Sequence, residues 1–414
     1  MSSNIVAALI GVASVVGLSC EAAAQAQDAV LTRADALALA LSDDPSIAAA
    51  DAASRAADAS AQQAGRWNNP TLDVQRENFE GSGLYTGSDR TETTYGLRQP
   101  LELGGDHSAR RRLAQRDRDI ARIGAGLQRL DVIEEVEHAY IDAQAAEAVG
   151  VLAEERLAVA RELAEAVDRR VRAARDPFMA GSRSQARLAE AEIEAESARL
   201  GAISARRRLA SFWLGENNFQ IDLASFDQMA GDASASGTSP DVALADAETQ
   251  RAEALLRLER ARAIPNVDLQ LGYREFEETD ETALVVGFSV PLQLWDRNAD
   301  AIARARADRD RFGHQRDARE RALARERALL TEQLERARIE VTGLDARVIP
   351  SSQEALEFAR DGYARGAFSY IDVLEAQRAL SEARLRRVMA LRSYHRALAS
   401  LARLAGIRAE EISQ

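Results

Sequence analysis

The stretch "AIPNVDLQLGY", Ala263 to Tyr273, interrupts a chain that otherwise reads as charged, alanine-rich helix. Ile264 precedes a proline, and a residue in that place is pushed out of helical geometry. From Val267 onward apolar and polar residues alternate. Val267, Leu269, Leu271 and Tyr273 share one face of a strand; Asp268, Gln270, Gly272 and Arg274 share the other. Far upstream, "NNPTLDVQREN" (Asn68 to Asn78) has the same form, with Leu72 and Val74 opposed to Asp73, Gln75 and Glu77.

The correspondence extends beyond these strands. "YGLRQPLELGGD" (Tyr95 to Asp106) matches "VGFSVPLQLWDR" (Val286 to Arg297), pairing Gly96 with Gly287, Pro100 with Pro291, Leu101 with Leu292 and Leu103 with Leu294. Landmarks that keep nearly one offset point to an internal duplication. We expect a first structural repeat over residues 27–230 and a second over 231–414, each running helix, strand, strand, long helix, returning helix. Strands are expected near 69–79, 93–103, 265–276 and 283–294.

Helices are expected over 32–65, 108–172, 184–212, 241–262, 298–360 and 370–404. Thr32 opens the first with a capping pattern. Ile120, Ile123, Leu127, Leu130, Ile133, Val136 and Tyr140 step by three or four through the second. "RDPFMAGS" marks one hairpin turn, and Gly362 with Gly366 the other. Leu323, Leu330, Leu334, Val341, Leu344 and Val348 fit a strict heptad, a coiled-coil seam. The segment from Gly215 to Pro240 reads as an irregular belt. A helix of sixty-odd residues is roughly 100 Å long at about 1.5 Å per residue, so it must lie beside others of similar length.

Composition supports long helices. The chain has 414 residues with 5% aromatics and 8 prolines, and its basic residues are all Arg. Net charge is -13 with no basic stripe set apart from the acids, which argues against nucleic acid. An acidic passage for cations and an ordinary solvated surface both fit that charge. One cysteine, Cys20, excludes an internal disulfide. Ile5 to Leu18 is apolar but too short to span a bilayer, and A-x-A patterns follow, so residues 1–26 read as a secretory signal peptide. Its start carries no Lys or Arg. Lipidation of Cys20 is the other reading, with Gly17 standing where an aliphatic residue is usual.

Each strand is about ten residues, the length a tilted strand needs to cross a bilayer. One apolar and one polar face suit lipid outside and water inside. Trp67 before the first strand and Trp295 after the fourth lie at the same membrane-proximal end, where an aromatic belt belongs. A soluble sheet resting on a core alternates in the same way, but no partner layer is visible here. Four strands cannot enclose water, and open edges in lipid leave backbone groups unpaired. Further copies must complete the barrel, and three copies give twelve strands.

With these features the sequence resembles the TolC-like outer-membrane efflux channels over essentially the whole mature chain. "YARGAFSYIDVLEAQ" (Tyr363 to Gln377) is the most family-like segment, and "QPLELGG" with "VPLQLWDRN" is similar to the heavy-metal, cobalt–zinc–cadmium branch. The resemblance implies a mainly α protomer with a small membrane β part. It implies a homotrimer with a twelve-stranded β-barrel in outer-membrane lipid and a coiled-coil helical tunnel across the periplasm. Its tip would dock on a periplasmic adaptor protein and an inner-membrane RND transporter. The implied function is the passive exit duct of that tripartite system, conducting heavy-metal cations to the exterior; drug efflux or type I protein secretion are the alternatives. A periplasmic adaptor is the competing class, but an adaptor carries one hairpin and this chain two.

At the tip, the resemblance places the family's two constriction carboxylates on Asp372 and Glu375 and its gating tyrosine on Tyr363. Phe368 stands where the family has a basic gating partner, and the first-half tip "GSRSQARLAEAE" lacks the Asp that would match. Asp372 and Glu375 are three apart and share a helix face, so threefold symmetry would make them two acidic rings. Spacing alone also fits ordinary solvated carboxylates. His107, His138, His314 and His395 are scattered without ligand spacing, and no phosphate-binding glycine loop is present. No catalytic set, cofactor site or metal site is expected.

Overall fold

The computed structural model of the protein describes residues 30–229 and 239–407. The expected signal segment and Cys20 lie outside the described residues. In chain order the elements are β1 (Val30–Leu31), α1 (Arg33–Asp43), α2 (Pro45–Ala64), β2 (Thr71–Glu77), β3 (Glu92–Leu101), α3 (Asp106–Arg172) and α4 (Phe178–Ala210). They continue with β4 (Gln220–Ile221), α5 (Pro240–Arg262), β5 (Val267–Phe276), β6 (Glu281–Ser289), α6 (Ala299–Gly343), α7 (Ile349–Arg365) and α8 (Tyr370–Ala405). A π-helical turn, Leu344–Val348, joins α6 to α7.

Thr32 caps α1 in a full capping box with Asp35. The helix expected without a break over 32–65 divides at Asp44. That residue precedes Pro45, so it takes an extended backbone with ψ 117°. Its carboxylate then caps α2, accepting from the backbone N–H of Ser46 at 2.7 Å and of Ile47 at 3.1 Å. The proline that ends one helix thus starts the next.

The expected strict heptad in 298–360 also needs correction. Leu323, Val341 and Leu344 are buried, but Val348 is exposed. Pro350 has no N–H and its ring crowds the carbonyl four residues back. The π turn just before it inserts one residue into the helical path. Beyond it Leu356, Ala359 and Tyr363 are buried, each one place later than the heptad would put them, along with Gly362, which the Phe368 ring covers. Phe358, which the heptad would place on the seam, is turned outward and exposed.

The strands form one antiparallel sheet in the order β2-β3-β5-β6. Register aligns Leu72, Leu97, Leu271 and Val286 in one row across the sheet, and Val74, Tyr95, Tyr273 and Leu284 in the next. The Tyr95 and Tyr273 rings stack at 5.3 Å. On the opposite face Arg98 donates to Asp73 at 3.0 Å, and Arg274 binds Glu92 at 2.7 Å and Glu77 at 3.3 Å. Gly96 and Gly272 face each other there, and a Cβ on Gly272 would lie 2.3 Å from the Tyr95 carbonyl oxygen. Only glycine permits that approach. Burial is inverted relative to a sheet in water: Leu72 is 70% and Phe288 80% exposed, while Thr94 on the polar face is 5% exposed. Among the described residues the outer edges of β2 and β6 have no strand partner.

The helices pack along α3, which holds α2 and α5 near the sheet and α4 and α8 further away. The seams are rich in small residues, with Ala36, Ala40, Ala139 and Ala143 around Val136, Tyr140 and Leu209 in the largest cluster. Part of the expected belt is ordered: β1 and β4 pair in parallel, Phe226 is buried, and Gln144 donates to the Asp222 carbonyl at 2.6 Å. Four helices meet at a buried carboxylate. Asp241 of α5 accepts from Arg319 of α6 and, at 2.5 Å, from Arg403 of α8, which also reaches Asp131 of α3 at 2.6 Å. Removing a buried acceptor strands its partners. Asp241→Ala is expected to lower unfolding free energy by about 3 kcal/mol, read as a drop in the thermal midpoint of helical circular dichroism; an unchanged midpoint would contradict the assignment.

Candidate functional site

The two helical hairpins end in turns of different construction. From α3 the chain passes through Ala174, at φ 56°, and reaches α4 at Pro177. From α7 it turns at Gly366, at φ 80°, a left-handed position that glycine takes without strain. Gly362 closes this turn through its carbonyl, which accepts from the N–H of Ala367 at 2.8 Å and of Phe368 at 3.3 Å. It lies inside α7 as a bare patch that the Phe368 ring folds over, and a Cβ there would sit 2.1 Å from Phe368 Cδ2. That is the physical role of the phenylalanine in the place of the basic partner.

Tyr363 is 5% exposed and points at the first hairpin. Its hydroxyl donates to Asp176 Oδ2 at 2.6 Å. Arg170, near the end of α3, closes the group. Its Nε and Nη2 donate to the Asp176 carboxylate at 3.1 and 3.2 Å, and its Nη1 donates to the Tyr363 carbonyl at 2.9 Å. The guanidinium also lies 4.5 Å from the centre of the tyrosine ring. The two hairpin tips are therefore latched within one chain by three side chains. Burial works against the Asp176 carboxylate, but the hydrogen bonds from Tyr363 and Arg170 outweigh it and hold its pKa below the ordinary value. Burial first, then Asp176, pushes the Tyr363 hydroxyl up, so it keeps the proton it donates.

Asp372 and Glu375 are on the exposed side of α8 and are not brought to Tyr363. Asp372 is third in the helix and forms a capping box with Ser369, whose N–H and hydroxyl each donate to Asp372 Oδ2 at 2.7 Å. The Ser369 hydroxyl lowers its pKa. Glu375, one turn on, borders a groove between α3, α4 and α8 with Arg156, Arg187 and Arg378. Sequence reasoning missed Arg170 and Asp176. The one signal was local: Asp176 immediately precedes the turn-marking Pro177, upstream of the segment searched for an acid. Nothing in the sequence ties Arg170 to Tyr363, 193 residues away.

His107 and His395 serve structure. His107 stacks on Trp67 at 4.3 Å beside the sheet, and its Nε2 lies 3.0 Å from the Gly65 carbonyl. His395 is held by the Phe226 carbonyl at 2.9 Å, and burial lowers its pKa. Among the described residues no three His, Cys, Asp or Glu side chains gather as a metal site.

A sheet with its apolar face outward, joined to two long helical hairpins that meet at a latched tip, defines a channel subunit of an outer membrane. The chain belongs to the outer membrane efflux protein family, whose model matches residues 36–213 and 233–407. It is an outer-membrane channel protein with a helical tunnel on the periplasmic side. It is 29% identical over 326 residues to the cobalt-zinc-cadmium resistance protein CzcC of Cupriavidus metallidurans, covering 77% of this chain and 78% of that protein. The nickel-cobalt-cadmium resistance protein NccC of Alcaligenes xylosoxydans xylosoxydans is 30% identical over 60% of this chain and 57% of its own length. In fold it is similar to the outer membrane protein VceC of Vibrio cholerae, with TM-score 0.76 and 19% identity over 91% of this chain and 96% of that one. The channel protein CusC superposes with TM-score 0.77 and 16% identity, over 91% and 92% of the two chains.

The depressed pKa of Asp176 fixes the sign of a pH effect. Its contribution is complete above the ordinary aspartate value of 3.8 and is lost as pH falls through the lower folded value. Amide exchange across 362–368, corrected for intrinsic rate, should stay slow above that pH and accelerate below it. Asp176→Asn should exchange fast throughout; a variant that matches the parent would remove the latch.

Proposed function

We propose that three copies of this chain form the exit duct of a tripartite efflux system and pass heavy-metal cations to the exterior. The observation that carries this reading is the inverted sheet with two unpaired edges. Its apolar rows suit hydrocarbon, and its ion-paired face suits a water-filled lumen. Backbone groups on the outer edges of β2 and β6 need partners in lipid, and identical neighbours supply them. Twelve strands from three copies enclose a lumen wider than the roughly eight-stranded barrels that side chains fill. An adaptor protein and an inner-membrane RND transporter are the partners this duct requires, engaged at the hairpin tips.

Heavy-metal cargo rests on the resistance relatives, whose names state cobalt, zinc, cadmium and nickel. A duct of this kind conducts without binding, so the cargo is set by the pump that feeds it. Deleting the gene should sensitise its host to cobalt, zinc or cadmium. Unchanged metal tolerance together with new drug sensitivity or a protein-secretion defect would favour those cargoes instead.

At the tip, Arg170, Asp176 and Tyr363 form a closing latch, and Asp372 with Glu375 form rings that prefer cations. In planar bilayers Tyr363→Phe and Asp176→Asn should each raise mean conductance. Asp372→Ala with Glu375→Ala should reduce the preference for potassium over chloride, read from reversal potentials. A double variant with the parent's reversal potential would rule out the rings, and latch variants with the parent's conductance would rule out the gate.

A further inference from the structure

We infer that the junction of α2 with α3 holds the phosphate of an anionic phospholipid, through Arg111 and Arg112 beside the Trp67 ring. This site rests on the barrel reading proposed above, in which the helix end of the sheet meets the periplasmic leaflet. Trp67 follows the end of α2 and is 68% exposed. Its ring lies flat on His107, with 2° between the planes, and His107 is fixed at the Gly65 carbonyl. Arg111 comes one turn after His107 on the same side of α3. Its stem crosses Gly65, where a Cβ would lie 3.4 Å from Arg111 Cδ. Indole and guanidinium stem are thus held side by side at the end of α2.

Three consecutive arginines stand at the start of α3, each turned about 100° from the last. Arg110 reaches Glu102 at 2.9 Å and Asp106 at 2.7 Å. Glu102 comes two places after Pro100, on the ion-paired face of the sheet. Arg112, two positions round the helix from Arg110, turns to the opposite side of the layer, the side of the apolar rows. The neighbours α2 and α5 pack on the flanks of α3, and Arg111 and Arg112 are both exposed. Neither forms an ion pair among the described residues, because Glu102 and Asp106 are already held by Arg110. Arg66, next to Trp67, is exposed and unpaired as well.

The level suits a headgroup. Arg111 is roughly 8 Å along α3 from Asp106. Helix side chains lean towards the N-terminus, here towards the sheet, so the long stems carry both guanidinium groups back to the edge of the apolar rows. The headgroup layer is roughly 5 to 8 Å thick on each side of the hydrocarbon, and an exposed tryptophan belongs in it. Guanidinium groups grip phosphate oxygens through paired N–H donors, and two unpaired cations favour a lipid of net negative charge. The second repeat has no such group. With Gly96 paired to Gly287, Arg111 and Arg112 correspond to Ile302 and Ala303. With Asn69 paired to Ile264, Trp67 corresponds to Arg262, which is held by Asp106 and Glu259. The sheet-to-helix junction therefore forms without these charges, and they are a property of the first repeat alone.

The test uses the full-length protein with Trp213→Phe and Trp295→Phe, which leave Trp67 as its one tryptophan. It is placed in vesicles of phosphatidylcholine and phosphatidylglycerol in equal amounts. One lipid at a time carries chains brominated close to the glycerol, which quench a neighbouring indole. Quenching should show phosphatidylglycerol preferred over phosphatidylcholine by about fivefold or more, the effect of one arginine at an anionic surface. Arg111→Gln with Arg112→Gln should bring the ratio close to one at unchanged helicity. Arg304→Gln with Arg306→Gln, two exposed arginines of α6, should keep it. A parent ratio of one, or equal loss in both double variants, would overturn the site. Excess inorganic phosphate should leave the ratio unchanged; its collapse would mean a site for soluble anions and overturn the lipid assignment. If the glutamine variant does not insert, Arg111→Lys with Arg112→Lys carries the test. Losing the planar fork should lower the ratio, and an unchanged ratio counts against a guanidinium site. Quenching by neither lipid would put Trp67 outside the bilayer and overturn the barrel reading instead.

Discussion

A backbone hydrogen-bond donor or acceptor without a partner costs several kcal/mol in hydrocarbon, because no water is there to satisfy it. That constraint governs this molecule. The sheet turns Leu72, Leu97, Leu271 and Val286 outward and collects its arginine–carboxylate pairs on the other face. Such a surface is unfavourable in water and favourable in lipid. Four strands then leave two edges that lipid cannot satisfy. Among the described residues no strand pairs with either edge, which is why a barrel completed by further copies is proposed.

The helical part solves a different problem. A 67-residue α3 cannot be hidden in a globular core, so it is covered in segments by shorter helices. Alanine-rich seams bring helices close without large side chains. Stability then comes from many modest contacts and from a few buried charges such as Asp241 and Glu137, which accepts from Arg33. Each charged junction joins elements distant in sequence. Such pairs need geometry to be favourable at all, which makes them better at fixing register than at adding stability.

Much of the fold was legible because its signals are periodic. Alternation located the strand pairs, and their echo located the second set. A residue placed before proline gave the junction at Ile264, and the same physics applied at Asp44 was overlooked inside a longer helical pattern. The heptad through Leu323 and Leu344 was read correctly as far as Leu344. The π turn beyond it has no periodic signature, because inserting one residue looks the same as continuing until the next buried position is known; Pro350 was the only cue. At the tip, Tyr363, Asp372 and Glu375 came from family likeness, whereas Asp176 and Arg170 needed coordinates. Their partner lies far along the chain, and local patterns do not encode contacts at that distance.

The π turn and the latch are mechanically related. Below the turn, the one-residue shift rotates α7 so that Tyr363 is buried against α8 and its hydroxyl reaches Asp176. Without the shift, the uninterrupted heptad would bury Phe358 and carry Tyr363 off the seam. The same insertion leaves Phe358 and Val348 exposed. One inserted residue therefore decides which side of α7 is turned to α8 and to the first hairpin. A change in helical winding at that turn would shift the Tyr363 hydroxyl relative to the Asp176 carboxylate.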